Sequence, residues 1–276
     1  MSSSSSAAEP TSYFKYGIVS LICLSTLLLL VISELKWLGW LILVFCAAAL
    51  LPGLASRFSR HMLILIAMVG LLGVVPINTD ISYSHTSIMG GALLLTIFVP
   101  YLITSRVFKE KVITFPFSFG RKWYKREIAY VLFAGLVSYL ILPFYLANMH
   151  SYLNWGVVLD PSHIIRLFLG TNALGIWDEL FFVGVCLALL RQHLPFIWAN
   201  AAQAALWTTF LYELGFRGWG PFAIFFFAMS QGYIFKKRKS LLYIITVHLT
   251  IDFMLFLVLI HLHHPEQLRI FITSPF

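Results

Sequence analysis

Leu174–Leu190 reads LGIWDELFFVGVCLALL, an apolar run whose charged members are the adjacent carboxylates Asp178 and Glu179. A later apolar run, Leu241–Leu262, carries His248 and Asp252. Runs of this length with so little charge belong in a bilayer, where a spanning segment needs about 20 apolar residues. An ionisable side chain there costs about 2.5 to 3.5 kcal/mol even on the lowest scales, so each one marks a candidate functional site.

The rest of the chain agrees that lipid is the solvent. Of 276 residues, 60% are hydrophobic, 16% aromatic and only 11% charged, and the mean hydropathy is +0.87. Soluble domains hold about 45 to 50% apolar residues. Lipid offers the backbone no hydrogen-bond partner, so spanning segments are helices or strands of a closed barrel, and continuous apolar runs select helices. The expected fold is an all-α polytopic transmembrane helix bundle with about eight or nine spans.

Candidate spans lie near Tyr16–Ile32, Trp37–Ala55, Met62–Ile77, Ile88–Ile103, Ile128–Leu146, His163–Leu190, Phe196–Leu214, Phe222–Phe235 and Leu241–Leu262. The sixth is too long for one plain crossing and contains Thr171, Asn172 and Gly175. It is therefore expected to break into a half-helix and a second helix opening near Ile176, with the carboxylates in its first turn. The organisation is a polar tail over 1–15, N-terminal transmembrane helices over 16–147 with a basic loop at 105–127, a second transmembrane region over 162–262 and a tail over 263–276.

Positive charge orients the bundle. Arg57 and Arg60, the cluster from Arg106 to Arg126, and Lys236–Lys239 fall on one side if every run crosses once, while Asn78–His85 and Asn148–His163 carry no lysine or arginine. The positive-inside rule then puts the N-terminus in the cytoplasm and makes the chain a multi-pass protein of a plasma or inner membrane. The net charge of +8 is accounted for by these loops. They imply contact with membrane lipids and no nucleic-acid partner. Cys23, Cys46 and Cys186 sit in apolar runs without metal-type spacing and read as small buried hydrophobes.

His248 and Asp252, at i and i+4, share a helix face, so the carboxylate can orient the imidazole. At 1.5 Å per residue Glu179 lies about 18 Å from Arg191, and His248 and Asp252 about 12 to 18 Å from Lys239. These three share a layer. Glu213 lies deeper, about 25 Å from Phe196, at the rim of the same cavity or at the outer interface. Each has a structural alternative. Asp178 can cap a helix with Glu179 in its first turn, His248 and Asp252 can be a polar pair between spans, and Glu213 can snorkel outward to Arg217. Asn200 and Gln203 read as interhelical hydrogen bonders. His261, His263 and His264 read as part of a solvated tail.

The polar residues resemble the intramembrane protease family of type II CAAX prenyl endopeptidases and bacteriocin-immunity proteins, the CPBP or Abi family. Its Glu-Glu-x-x-x-Arg motif, commonly followed by Gly, is similar to Asp178-Glu179-Leu180-Phe181-Phe182-Val183-Gly184, with Val183 in the arginine's place. Its Phe-x-x-x-His-Leu motif resembles Thr209-Phe210-Leu211-Tyr212-Glu213-Leu214, with Glu213 in the histidine's place. Its His-x-x-x-Asn/Asp motif is matched by His248 through Asp252.

The resemblance implies an endopeptidase acting on a membrane-associated protein or peptide. Asp178 or Glu179 would serve as general base, Glu213 would occupy a motif position, His248 would polarise water or donate a proton, and Asp252 would orient His248. Either Arg166 or Arg217 would supply the cation absent at Val183. Cofactor use is left open between none and a divalent metal such as zinc, which would take Glu179, Glu213, His248 and Asp252. The other function classes left open are a catalytically silent binding or immunity partner and a proton-coupled transporter.

Overall fold

The computed structural model describes residues 11–274, which places residues 1–10 of the expected N-terminal tail and residues 275–276 of the C-terminal tail outside the described residues. Helices account for every predicted apolar run: α1 (Ser12–Leu30), α2 (Lys36–Leu50), α3 (Arg57–Val74), α4 (Tyr83–Leu102), α5 (Lys125–Asn148), α6 (Pro161–Asp178), α7 (Ala188–Leu190), α8 (Phe196–Glu213), α9 (Gly220–Arg238) and α10 (Leu241–His263). Among the described residues, seven segments are long and apolar enough to cross a membrane by length and composition. The α8 and α9 rods complete the bundle beside them, so the eight or nine expected spans meet an all-helical fold with seven candidate crossings.

The expected break in the sixth run does not occur. α6 continues through a π-helical stretch, Glu179–Leu187, into α7, forming one rod from Pro161 to Leu190. Asp160 caps its start by accepting from His163 N at 3.0 Å, and Pro161 sits in the first turn, where its missing N–H costs nothing. Gly175 therefore lies within a continuous helix, and the carboxylates stand mid-rod instead of opening a second helix. With 72% of its best window buried, against 22% for α2 and for α5, this rod is the centre of the bundle.

Around it, α1 packs on α2 and α8, α5 and α6 pack on α10, and the π-helical stretch touches α4, α8, α9 and α10. Aromatic side chains hold the central rod in register. Trp177 donates to Leu93 O at 2.8 Å and to Thr96 Oγ1 at 3.0 Å on α4. Its ring stacks on Phe181, and Phe182 stacks on Trp207 of α8. Asn200 and Gln203 are interhelical bonders as expected, donating to Met229 O at 2.8 Å and Ala228 O at 3.0 Å on α9.

The basic ends are tied together by the segment 109–124. Glu110 accepts from Arg57, Arg60 and His61, and His61 in turn meets His193 at 2.9 Å. Further along, Pro116 O accepts from Leu241 N, and Arg238 bonds Lys122 O and pairs with Glu127 at 2.8 Å. Phe115 reaches the rod at Gly184, where a side chain would crowd its ring. At the opposite end the predicted solvated histidines are held by carbonyls. His261 is buried and faces Leu268 O, His263 meets Tyr152 O at 3.1 Å and His264 meets Val157 O at 3.0 Å. Helix α10 runs on through His263, so these rings answer backbone acceptors that the 149–157 stretch and the turn at 265–267 bring over them.

Candidate active site

Three helical segments bring the intramembrane polar groups to one place. Asp178 ends the α-helical part of the central rod, Glu179 begins its π-helical part, and His248 and Asp252 project from α10. All four are buried. The imidazole stands among three carboxylates: Nδ1 lies 3.2 Å from Glu179 Oε1, and Nε2 lies 3.6 Å from Asp252 Oδ1 and 3.9 Å from Asp178 Oδ2. Direct hydrogen bonding is therefore made to Glu179, while the two longer contacts leave room for another donor or acceptor. The rings of Trp207 and Phe227, with centroids 5.4 and 5.3 Å from the imidazole, cover its flanks.

An apolar cavity of about 260 Å³ opens onto this cluster. Asp178, His248 and Asp252 line it together with α5 residues such as Ile141, α9 residues such as Ile224, and Phe216 and Trp219 from the turn between α8 and α9. Glu179 is set behind the wall. The positions of the two adjacent acids thus differ: Asp178 faces the cavity and Glu179 faces the imidazole from behind. Asp178 Oδ1 and Asp252 Oδ2 are buried without a hydrogen bond of ordinary geometry, Asp252 Oδ2 lying against the bare backbone of Gly175.

Glu213 is not among these groups. It is the last residue of α8, half-buried, and the cavity is lined by its neighbours Leu211 and Leu214 instead. The cations expected to offset the acids are also elsewhere. The Arg166 guanidinium lies over Tyr83 at 4.5 Å and that of Arg217 over Tyr212 at 5.3 Å. Val183 is fully buried in apolar packing. The group that answers Glu179 is Gln231 of α9, which sequence reasoning passed over; its Nε2 donates to Glu179 Oε1 at 2.6 Å. Its only signal was an amide in the apolar run Phe222–Phe235.

The site does not fit a zinc ion of the predicted ligand set. Both His248 nitrogens face carboxylates, Glu179 Oε1 is engaged by Gln231 and His248, and Glu213 is off the cavity. Among the described residues no three His, Cys, Asp or Glu side chains converge as a metal-binding group.

The stretch 160–254 matches a protein-family model described as Rce1-like, Type II CAAX prenyl endopeptidase Rce1-like. It runs from the cap of α6 into α10 and contains every residue of the cluster. This match is consistent with an intramembrane protease of the CPBP family. No curated protein and no solved structure matches it. Together with seven apolar helices of spanning length among the described residues, the match marks a multi-pass integral membrane protein.

Proposed function

We propose that this protein is an intramembrane endopeptidase that cleaves a membrane-associated protein or peptide with water activated by carboxylate and histidine. The observation that carries the proposal is His248, held among Glu179, Asp178 and Asp252 at 3.2 to 3.9 Å on the wall of an apolar cavity, inside the Rce1-like stretch.

Asp178, the acid facing the cavity, removes a proton from a water there. The water oxygen bonds to the scissile carbonyl carbon while the carbonyl electron pair moves to its oxygen. When that intermediate collapses the C–N bond breaks, and the proton passes through His248 Nε2 to the leaving nitrogen. Glu179 fixes the imidazole from its Nδ1 side and Asp252 braces it from one turn further along α10. Net, water adds OH to the acyl carbon and H to the amine. The apolar wall suits a segment delivered from lipid, and the basic loops favour a cytoplasmic N-terminus by the positive-inside rule.

The test is cleavage of a quenched fluorescent peptide bearing a prenylated CAAX terminus, with full-length protein in proteoliposomes. Asp178→Asn and His248→Ala should each lower kcat by about 10² to 10⁴-fold while the protein still inserts and unfolds cooperatively. A wild-type protein that leaves tethered peptides intact, or variants that cleave as well as wild type, would overturn the proposal. Binding of the peptide without cleavage would point to the silent-partner class.

A further inference from the structure

We infer that Gln231 is a positioning residue for this site, an inference resting on the protease function proposed above. Its side chain is fully buried in α9, an expensive place for an amide unless its hydrogen bonds are made. Both N–H groups are used: one meets Glu179 Oε1 at 2.6 Å and the other Ile244 O at 3.0 Å. The backbone carbonyl can only accept, and an ionised carboxylate can only accept, so the amide nitrogen is fixed facing them. Its carbonyl oxygen has no protein partner.

The two acceptors are the two supports of His248. Glu179 Oε1 faces the imidazole at Nδ1. Ile244 precedes His248 by four residues on α10, so its carbonyl is the one to which the His248 amide is directed along the helix. A single amide thereby ties the central rod and α10 together at the residues that set where the imidazole stands. Because Gln231 and His248 both engage Oε1, Glu179 Oε2 is left without a protein partner. Gln231 itself does not line the cavity and touches no reacting atom.

Three variants test this. Gln231→Leu should lower kcat about 10-fold or more, with KM within about 2-fold, since the apolar cavity is intact and only the alignment of His248 is lost. Gln231→Glu has nearly the same shape, and its carboxyl donates to Glu179 only when protonated. Its kcat relative to wild type should therefore rise as pH is lowered, whereas that of Gln231→Leu should not. Gln231→Asn, one methylene shorter, should not rescue. A Gln231→Leu enzyme with wild-type kcat, or equal pH profiles for the Leu and Glu variants, would overturn the inference.

A second measurement does not depend on catalysis. In protein labelled with ¹⁵N-glutamine, the side-chain amide signal that vanishes in Gln231→Leu should shift in Glu179→Gln. If the wild type proves inactive and this signal still shifts, the protease proposal falls and the contact stands. If it does not shift, the positioning role falls whatever the enzyme does.

Discussion

Gly175 and Asp252 approach so closely across the contact of α6 with α10 that a Cβ on the glycine would overlap Oδ2 of the aspartate. A bare backbone at 175 is what lets a carboxylate lie against the central rod beside His248. Gly175→Ala should therefore displace Asp252 while improving local helix propensity. The expected outcome is a kcat lowered about 10-fold or more with little loss of thermal stability, checked by peptide cleavage and thermal unfolding of one sample.

Glu213 offers the opposite expectation. Since the cavity is lined by Leu211 and Leu214 and not by Glu213, Glu213→Gln should leave kcat within about 2-fold of wild type, because proton-transfer partners act only within hydrogen-bond reach. A hundredfold loss would show that this carboxylate takes part in the chemistry.

The tie at Glu110 predicts a pH dependence outside the membrane-spanning segments. Burial raises the Glu110 carboxyl, but hydrogen bonds from Arg57 and His61 and the charges around it outweigh that and leave it below the usual range. A carboxyl lowered in the folded protein contributes stability that is fully present above its unfolded value, about 4.3. That stability is lost as pH falls through the lower folded value. The difference in unfolding temperature between wild type and Glu110→Gln should shrink as pH falls below about 4.3, toward the lower folded value. A difference unchanged down to strong acid would rule out the ionised tie.

Trp177 anchors the central rod to α4 through its indole N–H. Trp177→Phe keeps the aromatic packing and removes that donor, so unfolding in detergent should show a loss of about 0.6 to 1.5 kcal/mol. A larger effect on kcat than on stability would mean that the anchor also sets the height of Asp178.

The bundle was legible because a bilayer leaves the backbone few options, and each apolar run from Tyr16 to Leu262 became a helix. His248 and Asp252 were legible as a pair because four residues make one helical turn. Their meeting with Glu179 was approachable through depth alone. Rotation about the helix axis was not. Apolar residues surround α8 on all sides, so no periodicity said which way Glu213 points, and α9 hid Gln231 for the same reason. Continuity through Gly175 was missed because the small residue serves a close contact and not a turn. His261, His263 and His264 looked solvated because the carbonyls they meet come from distant turns, at Tyr152 and Val157, or from the turn that follows at Leu268.

The π-helical stretch Glu179–Leu187 acts as a phase adjuster. A widened turn holds one residue more than the α-helix would, so everything beyond it is rotated by about 100° relative to an unbroken α-helix. On its near side the rod presents Gly175 and Asp178 to the cavity; on its far side Leu189 and Leu190 are buried. The carboxylates of the candidate site and the buried leucines thus stand on opposite sides of this widened turn. The spacing between Glu179 and Ala188 is consequently as much a part of the site as its charges are, and a single-residue deletion there would turn the carboxylates or the leucines away from their partners without removing any polar group.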